Sequence, residues 1–559
     1  MGADERDPAA VSRRPDERDA AIPISGAGVP GRPPPRRGRL ALNTAFFSFA
    51  TGLSRIAGLV REIVAASLFG VTGVMSAFTI AFQVPNLVRA LFADMALQGA
   101  FVPVFTELLE EGKRREAFRV ASSLFFLICL VLGGLTALFT LAAPAIVPLV
   151  TPGFDDDPAL RDLTIALSRL MFPIVLMLGL SGLVVGMLNS FEHFSVPAIA
   201  PLAWNLVIIA ALVGLTPVFP EEDEIYAYAI GILAGTLVQL VLPMPWLRGR
   251  GGRFTLSLDW RGPHVRQVLA LMLPVTLALG LINFSLLVNS FFGTLVSEEA
   301  PAAIDKAFRI YMLPQGLFSI AIATILFPTL SRFAARGALG DLRRTMANGV
   351  RQIFLLLIPS AAIMVVLAEP ITRVVYERGV FGAAATDLVA EAMFWWAFSL
   401  PFQGASLLFS RTFFSLKRPW ITTALAGGSL LLNALVALAL YAPLGIAGVV
   451  IGTVVATIAM ALAQAFVLGR DLDGVETRAT LAAALKILAA SALLGAVAYF
   501  TWRGLDAALG RALAAQIVSV GGAIVAGGSV YALVVWTLRV PEARQISSLI
   551  AERLGRSGL

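Results

Sequence analysis

The chain has 559 residues, of which 58% are hydrophobic and only 14% are charged, and its mean hydropathy is +0.82. Soluble domains are about 25% charged, so this composition excludes an ordinary soluble protein and predicts a polytopic all-α membrane protein. The net charge is +7, but the basic residues lie in short loops between apolar spans, which argues against a nucleic-acid partner. One cysteine, Cys129, and two histidines are too few for a disulfide framework or a metal site, so no metal or cofactor is expected.

The first 40 residues are rich in Pro, Gly and charge and cannot bury a core, which predicts a disordered tail. A basic cluster from Arg32 to Arg39 directly precedes the first apolar span. Basic residues beside a membrane span are retained on the cytoplasmic side. The tail is therefore predicted to be cytoplasmic.

The remaining chain divides into fourteen apolar stretches of about 20 or more residues, the length that crosses a bilayer. Polar loops separate them, and the basic loops follow the even-numbered spans while the acidic loops follow odd-numbered ones. This alternation predicts that both termini are cytoplasmic. The predicted spans are about 43–69, 75–107, 117–149, 160–190, 196–217, 224–247, 266–296, 305–331, 347–367, 385–415, 420–442, 444–469, 479–502 and 511–538.

An internal repeat relates the second span to the eighth. Both begin near a proline, pass through small and apolar residues to a second proline, and end in a basic loop. Because the copies are six spans apart they share an orientation, which predicts two six-helix lobes with a substrate site between them. We therefore predict an N-lobe over 41–250, a C-lobe over 264–470, two extra helices over 477–540 and a cytoplasmic tail over 541–559.

The first two spans carry charges where a membrane tolerates them poorly. Arg55, Arg61 and Glu62 lie in the first span, and Arg89 and Asp94 lie in the second. Three arginines facing lipid would cost about 8–10 kcal/mol even on the lenient insertion scale. We therefore expect them to face a hydrated cavity, and a cavity lined by guanidinium groups suits an anionic substrate.

The local sequence suggests how these charges are arranged. Arg55 and Arg61 point about 120° apart on an unbroken helix, and Gly58 between them allows a kink or a close helix contact. Glu62 is expected to pair with one of the two arginines, and in the simpler alternative this pairing only pins helices together. In the second span, Pro85 and Asn86 precede Arg89 at an expected bend, with Asp94 as a candidate partner of Arg89.

The eighth span opens with a second charged group, Asp305, Lys306 and Arg309. Asp305 and Arg309 are four residues apart, so an ion pair within the helix is the simplest explanation. Arg309 nevertheless lies one turn inside the span, where it could face the cavity from the second lobe.

Several motifs together resemble the MurJ/MviN family of lipid II flippases. They are S-R-x-x-G-x-x-R-E at Ser54–Glu62, F-x-x-A-F-x-x-P-N-L-x-R at Phe78–Arg89, A-F-V-P at Ala100–Pro103, L-N-S-F-E-H-F-S-V-P-A-I-A-P-x-x-x-N at Leu188–Asn205 and Y-E-R-G-x-F at Tyr376–Phe381. One departure is Ser76, where many relatives have Asp. A mechanism that needs a carboxylate at this position is therefore not expected.

The resemblance implies the multidrug/oligosaccharidyl-lipid/polysaccharide exporter fold, with the two extra helices forming a groove for a lipid tail. It also implies transport and not catalysis, in the bacterial cytoplasmic membrane, with lipid II, membrane lipids and the cell-wall synthesis machinery as partners. The implied substrate-binding residues are Arg55, Arg61, Arg89 and Arg309, and the supporting residues are Ser54, Gly58, Glu62, Pro85, Asn86 and Asp94.

Three alternatives remain open at the level of sequence. One is an exporter of the same fold for another polyprenyl-linked oligosaccharide or for cationic drugs, although a cation site would favour acidic and aromatic residues. Another is a membrane glycosyltransferase or polymerase, which usually needs acidic residues on a large outer loop. The last is a family member that does not transport.

Overall fold

The computed structural model describes residues 37–92, 95–191, 193–249, 255 and 257–543, with the side chains of 37–48, 88–92, 95–99, 271 and 273–283 outside that description. Within these ranges the chain is helical and contains no strand. The predicted N-terminal tail therefore lies outside the described residues, except that the first helix already begins at Arg37. Most of the predicted C-terminal tail also lies outside them.

The first eight helices belong to the predicted N-lobe, which we call the first lobe. Helices α5 and α6 are consecutive segments separated by a short turn. Pro85 lies inside α2 and Pro103 inside α3, where each proline removes a backbone donor. The helices are α1 (Arg37–Phe69), α2 (Gly73–Phe92), α3 (Met95–Glu110), α4 (Arg114–Val150), α5 (Pro158–Met171), α6 (Ile174–Ser190), α7 (Ser195–Leu215) and α8 (Ile225–Val241).

The next eight helices belong to the predicted C-lobe, which we call the second lobe. A π-helical turn over Gln315–Ser319 joins two of them after Pro314, so the eighth predicted span is not one regular α-helix. The helices are α9 (Pro263–Val296), α10 (Ala300–Pro314), α11 (Ile320–Ala335), α12 (Leu339–Val366), α13 (Ala368–Tyr376), α14 (Ala383–Ala397), α15 (Leu400–Ser415) and α16 (Pro419–Asp471).

The 53-residue helix α16 is divided by a kink at Gly445, whose backbone has φ +56° and ψ −133°. This conformation is essentially restricted to glycine. After the kink the chain turns back, and Gly448 and Gly452 then pack directly against the first half of the helix. The division lies beside the boundary predicted between the eleventh and twelfth spans.

The last two described helices, α17 (Thr477–Leu509) and α18 (Leu513–Thr537), pack on each other and on α12. Two arginines fix them to the second lobe. Arg351 of α12 binds Glu542, at 2.5 Å, and Glu476, at 2.9 Å. Arg373 of α13 lies 3.9 Å from Asp506 near the end of α17.

The loops define two sides of the molecule. The turn after α4 contains Asp155–Asp157 and the turn after α7 contains Glu221–Glu224, and we call this the acidic side. The α1–α2, α9–α10 and α13–α14 turns meet there as well, because Gly70 approaches Val380 and Gly73 approaches Glu298. The opposite ends carry the loops with Lys113, Arg336 and Arg418, and we call them the basic side.

Nine helical stretches among the described residues are long and apolar enough to cross a membrane. Together with the all-helical architecture they confirm the predicted class, a polytopic α-helical membrane protein. The count of fourteen spans stays a prediction, as do the boundaries of the predicted lobes.

Candidate functional site

A buried cluster of charges lies where the two lobes meet, and Glu62 of α1 is at its centre. The residue is only 4% exposed. Its carboxylate contacts Arg61 at 2.5 Å, Lys306 at 2.9 Å and Arg309 at 3.0 Å. Arg61 belongs to the first lobe, whereas Lys306 and Arg309 belong to α10 of the second. The cluster is therefore a direct ionic link between the lobes.

The second lobe adds one more acid to this cluster. Arg309 also binds Asp305 of its own helix at 2.8 Å, as the spacing of four residues predicts. With Arg61, Lys306 and Arg309 against Glu62 and Asp305, the formal charge of the cluster is +1. The side chain of Arg309 remains 33% exposed, whereas that of Lys306 is fully buried. The cluster thus keeps one accessible guanidinium group.

Helix α7 holds Arg61 in place. Asn205 accepts a hydrogen bond from Nη1 of Arg61 at 3.0 Å. Its Nδ2 donates to the carbonyl oxygen of Ser54, at 3.2 Å, and to that of Pro201. The guanidinium group also lies over the ring of Trp204, 4.6 Å from the ring centre, in a cation–π arrangement.

Gly58 lies at this contact between α1 and α7. A Cβ atom at this position would lie 3.7 Å from Oδ1 of Asn205, an ordinary van der Waals distance. Of the two roles predicted for Gly58, the structure shows the close helix contact, and α1 continues as one helix from Arg37 to Phe69.

Arg55 lies on the same face of α1 as Glu62, because seven residues are just under two helical turns. It is about 10 Å nearer the basic side. Unlike Arg61 it is exposed, and it makes no ion pair or hydrogen bond with any residue in the described part of the chain. The structure therefore does not bring Arg55 into the Glu62 cluster.

The predicted residues of the second span are less completely described. Pro85 is buried inside α2, and Asn86 is partly buried in the same helix. The backbone of Arg89 lies in α2, but its side chain is outside the described residues, and so is Asp94. A partnership between Arg89 and Asp94 stays a prediction.

Further contacts between the lobes lie on the acidic side, and we call them the seam. The backbone NH of Val380 donates to the carbonyl oxygen of Ser67 at 2.9 Å. Ser76, the departure from the family pattern noted in the sequence, accepts a hydrogen bond from the NH of Ala302 at the start of α10, at 3.1 Å. A hydroxyl group therefore makes a cross-lobe contact at this position.

Two more polar contacts complete the seam. Ser290 of α9 donates to Gln83 of α2 at 2.7 Å, and the NH of Gly153 lies 3.4 Å from the hydroxyl of Thr294. A Cβ atom at Gly153 would overlap the carbonyl oxygen of Thr294. The backbones of the two lobes are thus in direct contact at this point.

The second lobe contains a buried contact between two neutral residues, Asn289 of α9 and Asn433 of α16. Nδ2 of Asn433 lies 3.3 Å from Oδ1 of Asn289, and Thr453 donates to the same oxygen at 2.9 Å. Unlike the contact between Arg61 and Asn205 in the first lobe, this contact carries no charge.

For three residues of the site, the sequence predicts no role in the site. Lys306 was noted only as part of a charged group, and Asn205 only as the end of a motif. Tyr376, fully buried with its ring centre 5.8 Å from Nζ of Lys306, was named only within another motif. A lysine or asparagine inside an apolar span itself indicates a buried polar contact, since polar groups within a membrane bundle need partners.

These features define a class. Apolar helices in two repeated lobes, joined by buried charges at their interface, are typical of membrane transporters that work by alternating access. A solved multidrug resistance transporter of the MATE family, in an inward-facing conformation, has the same fold. Its TM-score is 0.64 at 14% identity, over 76% of this chain and 96% of that chain.

The particular family follows from the sequence comparisons. A family model described as Lipid II flippase MurJ matches residues 65–509, and the chain belongs to this family. A probable lipid II flippase MurJ of Rhizobium meliloti is 33% identical over 73% of this chain and 76% of the relative. The lipid II flippase MurJ of Burkholderia cenocepacia is 31% identical over 61% of this chain and 67% of that protein.

A solved structure gives the same fold. It is described as a lipid II flippase MurJ in an inward closed conformation, and it matches with a TM-score of 0.72 at 23% identity. The match covers 91% of this chain and 99% of that chain. The fold predicted from the motifs is therefore confirmed.

Proposed function

We propose that this protein is a lipid II flippase, which moves the undecaprenyl-pyrophosphate-linked precursor of peptidoglycan across the cytoplasmic membrane. The observation that carries the proposal is membership of the MurJ family together with a cationic cluster at the lobe interface. Guanidinium groups match the oxygens of a pyrophosphate in charge and geometry. The protein then acts as a transporter and not as an enzyme.

The basic side would face the cytoplasm and the acidic side the cell exterior, since basic loops are retained inside. In this orientation the seam closes the outer side. Arg55, exposed on the face of α1 that carries Glu62, would line the space between the lobes nearer the cytoplasm. It would be the first arginine to meet the pyrophosphate, and Arg61 and Arg309 would lie deeper.

The lipid tail is proposed to remain in the membrane along α17 and α18. These helices present several large apolar side chains that are more than half exposed, including Leu485, Phe500, Val525 and Leu533. A polyprenyl chain is compatible with such a surface. Membrane lipids would cover the same side chains in its absence, and the cell-wall synthesis machinery is a further proposed partner.

The test is complementation of cells depleted of their own flippase. Arg55→Ala, Arg61→Ala and Arg309→Ala are each expected to abolish growth while the protein is still made and inserted. The matched control is Arg344→Ala, which removes an exposed arginine on α12 that pairs only with Asp341 in the described part of the chain. This control is expected to complement fully.

A direct assay separates flipping from other roles. Lipid II labelled on its headgroup is incorporated into vesicles containing the purified protein, and headgroup accessibility is measured from outside. Wild-type protein is expected to speed the exchange between leaflets. If the vesicles show no faster exchange, or if all three alanine variants complement, the proposed function is wrong.

A further inference from the structure

Lys306 is a fully buried lysine at the interface between the lobes. Its Nζ donates a hydrogen bond to Oε2 of Glu62 at 2.9 Å. The ring of Tyr376 lies 5.8 Å from the same Nζ. A buried lysine needs a permanent negative partner, because an isolated buried charge is strongly unfavourable.

The two oxygens of Glu62 are divided between different kinds of cation. Oε1 accepts both arginines, Arg61 at 2.5 Å and Arg309 at 3.0 Å. Oε2 is bound by Lys306. The arginines therefore share one oxygen, whereas the lysine has the other to itself.

The same residues differ in what they can reach. Arg309 is one-third exposed, so its guanidinium group can turn toward a ligand between the lobes. Lys306 has no exposed surface and cannot follow it. When an anionic ligand draws Arg309 away from Oε1, Lys306 keeps a cation on Glu62 at Oε2.

We propose that Lys306 is a positioning residue, the resident counter-ion that keeps Glu62 neutralised while Arg61 and Arg309 bind a pyrophosphate. Without Lys306, Glu62 would depend on the arginines alone and would compete with the ligand for them. The cluster would also lose its net positive charge, falling from +1 to zero. This inference rests on the proposed function, and it concerns a residue that does not itself contact the ligand.

The experiment measures binding of undecaprenyl pyrophosphate to the full-length protein purified in detergent. Lys306→Met keeps the length of the side chain and removes its charge. It is expected to weaken binding by at least about tenfold, the scale seen when one partner of a buried charge pair is removed. The double variant Lys306→Met/Glu62→Gln restores the net charge of +1, and it is expected to bind within about threefold of wild type.

The double variant distinguishes a positioning role of Lys306 from a packing role. If Lys306 only filled space, removing the acid as well would not restore binding, so a double variant that binds as weakly as Lys306→Met overturns the inference. Binding of Lys306→Met at wild-type strength overturns it too. Should the single variant fail to fold, the double variant decides alone. In it Arg309 keeps Asp305, and Arg61 keeps its hydrogen bond to Asn205 and its place over the ring of Trp204, so this variant is expected to fold and bind.

Controls separate this inference from the proposed function. Lys113→Met removes an exposed lysine of the α3–α4 loop and is expected to leave binding unchanged. If wild-type protein itself does not bind undecaprenyl pyrophosphate, the proposed function fails. If wild type binds and the Lys306 series shows no difference, only the role of Lys306 fails.

Discussion

Individual charges in this protein find partners that are distant in the sequence. Glu62 and Lys306 are 244 positions apart, and Arg61 and Asn205 are 144 apart. The sequence predicts that such charges need partners, because each would be costly in lipid. It does not identify the partners, since that depends on how α1, α7 and α10 cross. The pairing of Asp305 with Arg309 was predictable because it lies within one helix.

Substitution of Asn205 gives a prediction at the scale of single residues. Asn205→Leu leaves Nη1 of Arg61 and the carbonyl oxygen of Ser54 without their partner. We expect a loss of about 1–3 kcal/mol in stability and weaker binding of undecaprenyl pyrophosphate, as Arg61 is no longer held. Thermal unfolding in detergent and ligand titration measure the two effects.

The control is Asn433, a buried asparagine in the second lobe. Asn433→Leu also removes buried hydrogen bonds, but none of them involves an arginine. It is expected to lower stability without weakening binding. Equal loss of binding in both variants would show that Asn205 acts only through the stability of the protein.

At the scale of the helices, one break follows from local chemistry that the sequence displays. Pro314 directly precedes the π-helical turn in the eighth predicted span, whereas Pro85 and Pro103 lie inside α2 and α3. The kink in α16 is different, because glycines are frequent in that helix and only Gly445 adopts a positive φ there. The length of the apolar stretch predicts roughly where the kink lies, but the residue type does not identify Gly445 as its site.

The kink allows a matched pair of substitutions. Gly445→Ala forces a side chain into a conformation reserved for glycine and is expected to cost about 1–3 kcal/mol. Gly427→Ala, in the regular part of the same helix, meets no atom within 4 Å of the added Cβ. It is expected to be neutral or slightly stabilising.

Thermal unfolding of both variants in detergent checks this expectation. A Gly445→Ala protein as stable as Gly427→Ala would mean that the turn between the two halves of α16 is not held in the conformation described. The two variants change the same helix by the same atom, so other effects of a methyl group cancel.

For the whole molecule, composition and loop charge predict the class, and the motifs predict the family. Composition, loop charge and motifs do not predict the seam, because it joins segments whose contacts depend on the conformation of both lobes. Ser76 illustrates this limit. Its sequence context shows only a departure from relatives, whereas the structure shows a hydrogen bond to the start of α10.

The seam predicts how the lobes separate. Gly153→Val places a side chain against the backbone of Thr294 and is expected to keep the acidic side from closing. Spin labels at two exposed positions, Asp156 in the α4–α5 turn and Ala384 in the first turn of α14, would report a longer distance in this variant than in wild type. Both proteins would carry Cys129→Ala, which removes the only native cysteine.

The comparison variant is Gly134→Ala in α4, where an added Cβ has open space. It is expected to give the wild-type distance. An unchanged distance in Gly153→Val would mean that the lobes adjust locally and that the contact at Thr294 does not limit closure.

Helix α13 touches both the seam and the C-terminal helices. The turn that follows it contributes Val380, bound to Ser67, while Arg373 on the same helix reaches Asp506. A displacement of this short segment would therefore change contacts in two directions, toward the first lobe and toward α17. If the lipid tail lies along α17 and α18 as proposed, its loading there and the release of the headgroup would be coupled through these nine residues.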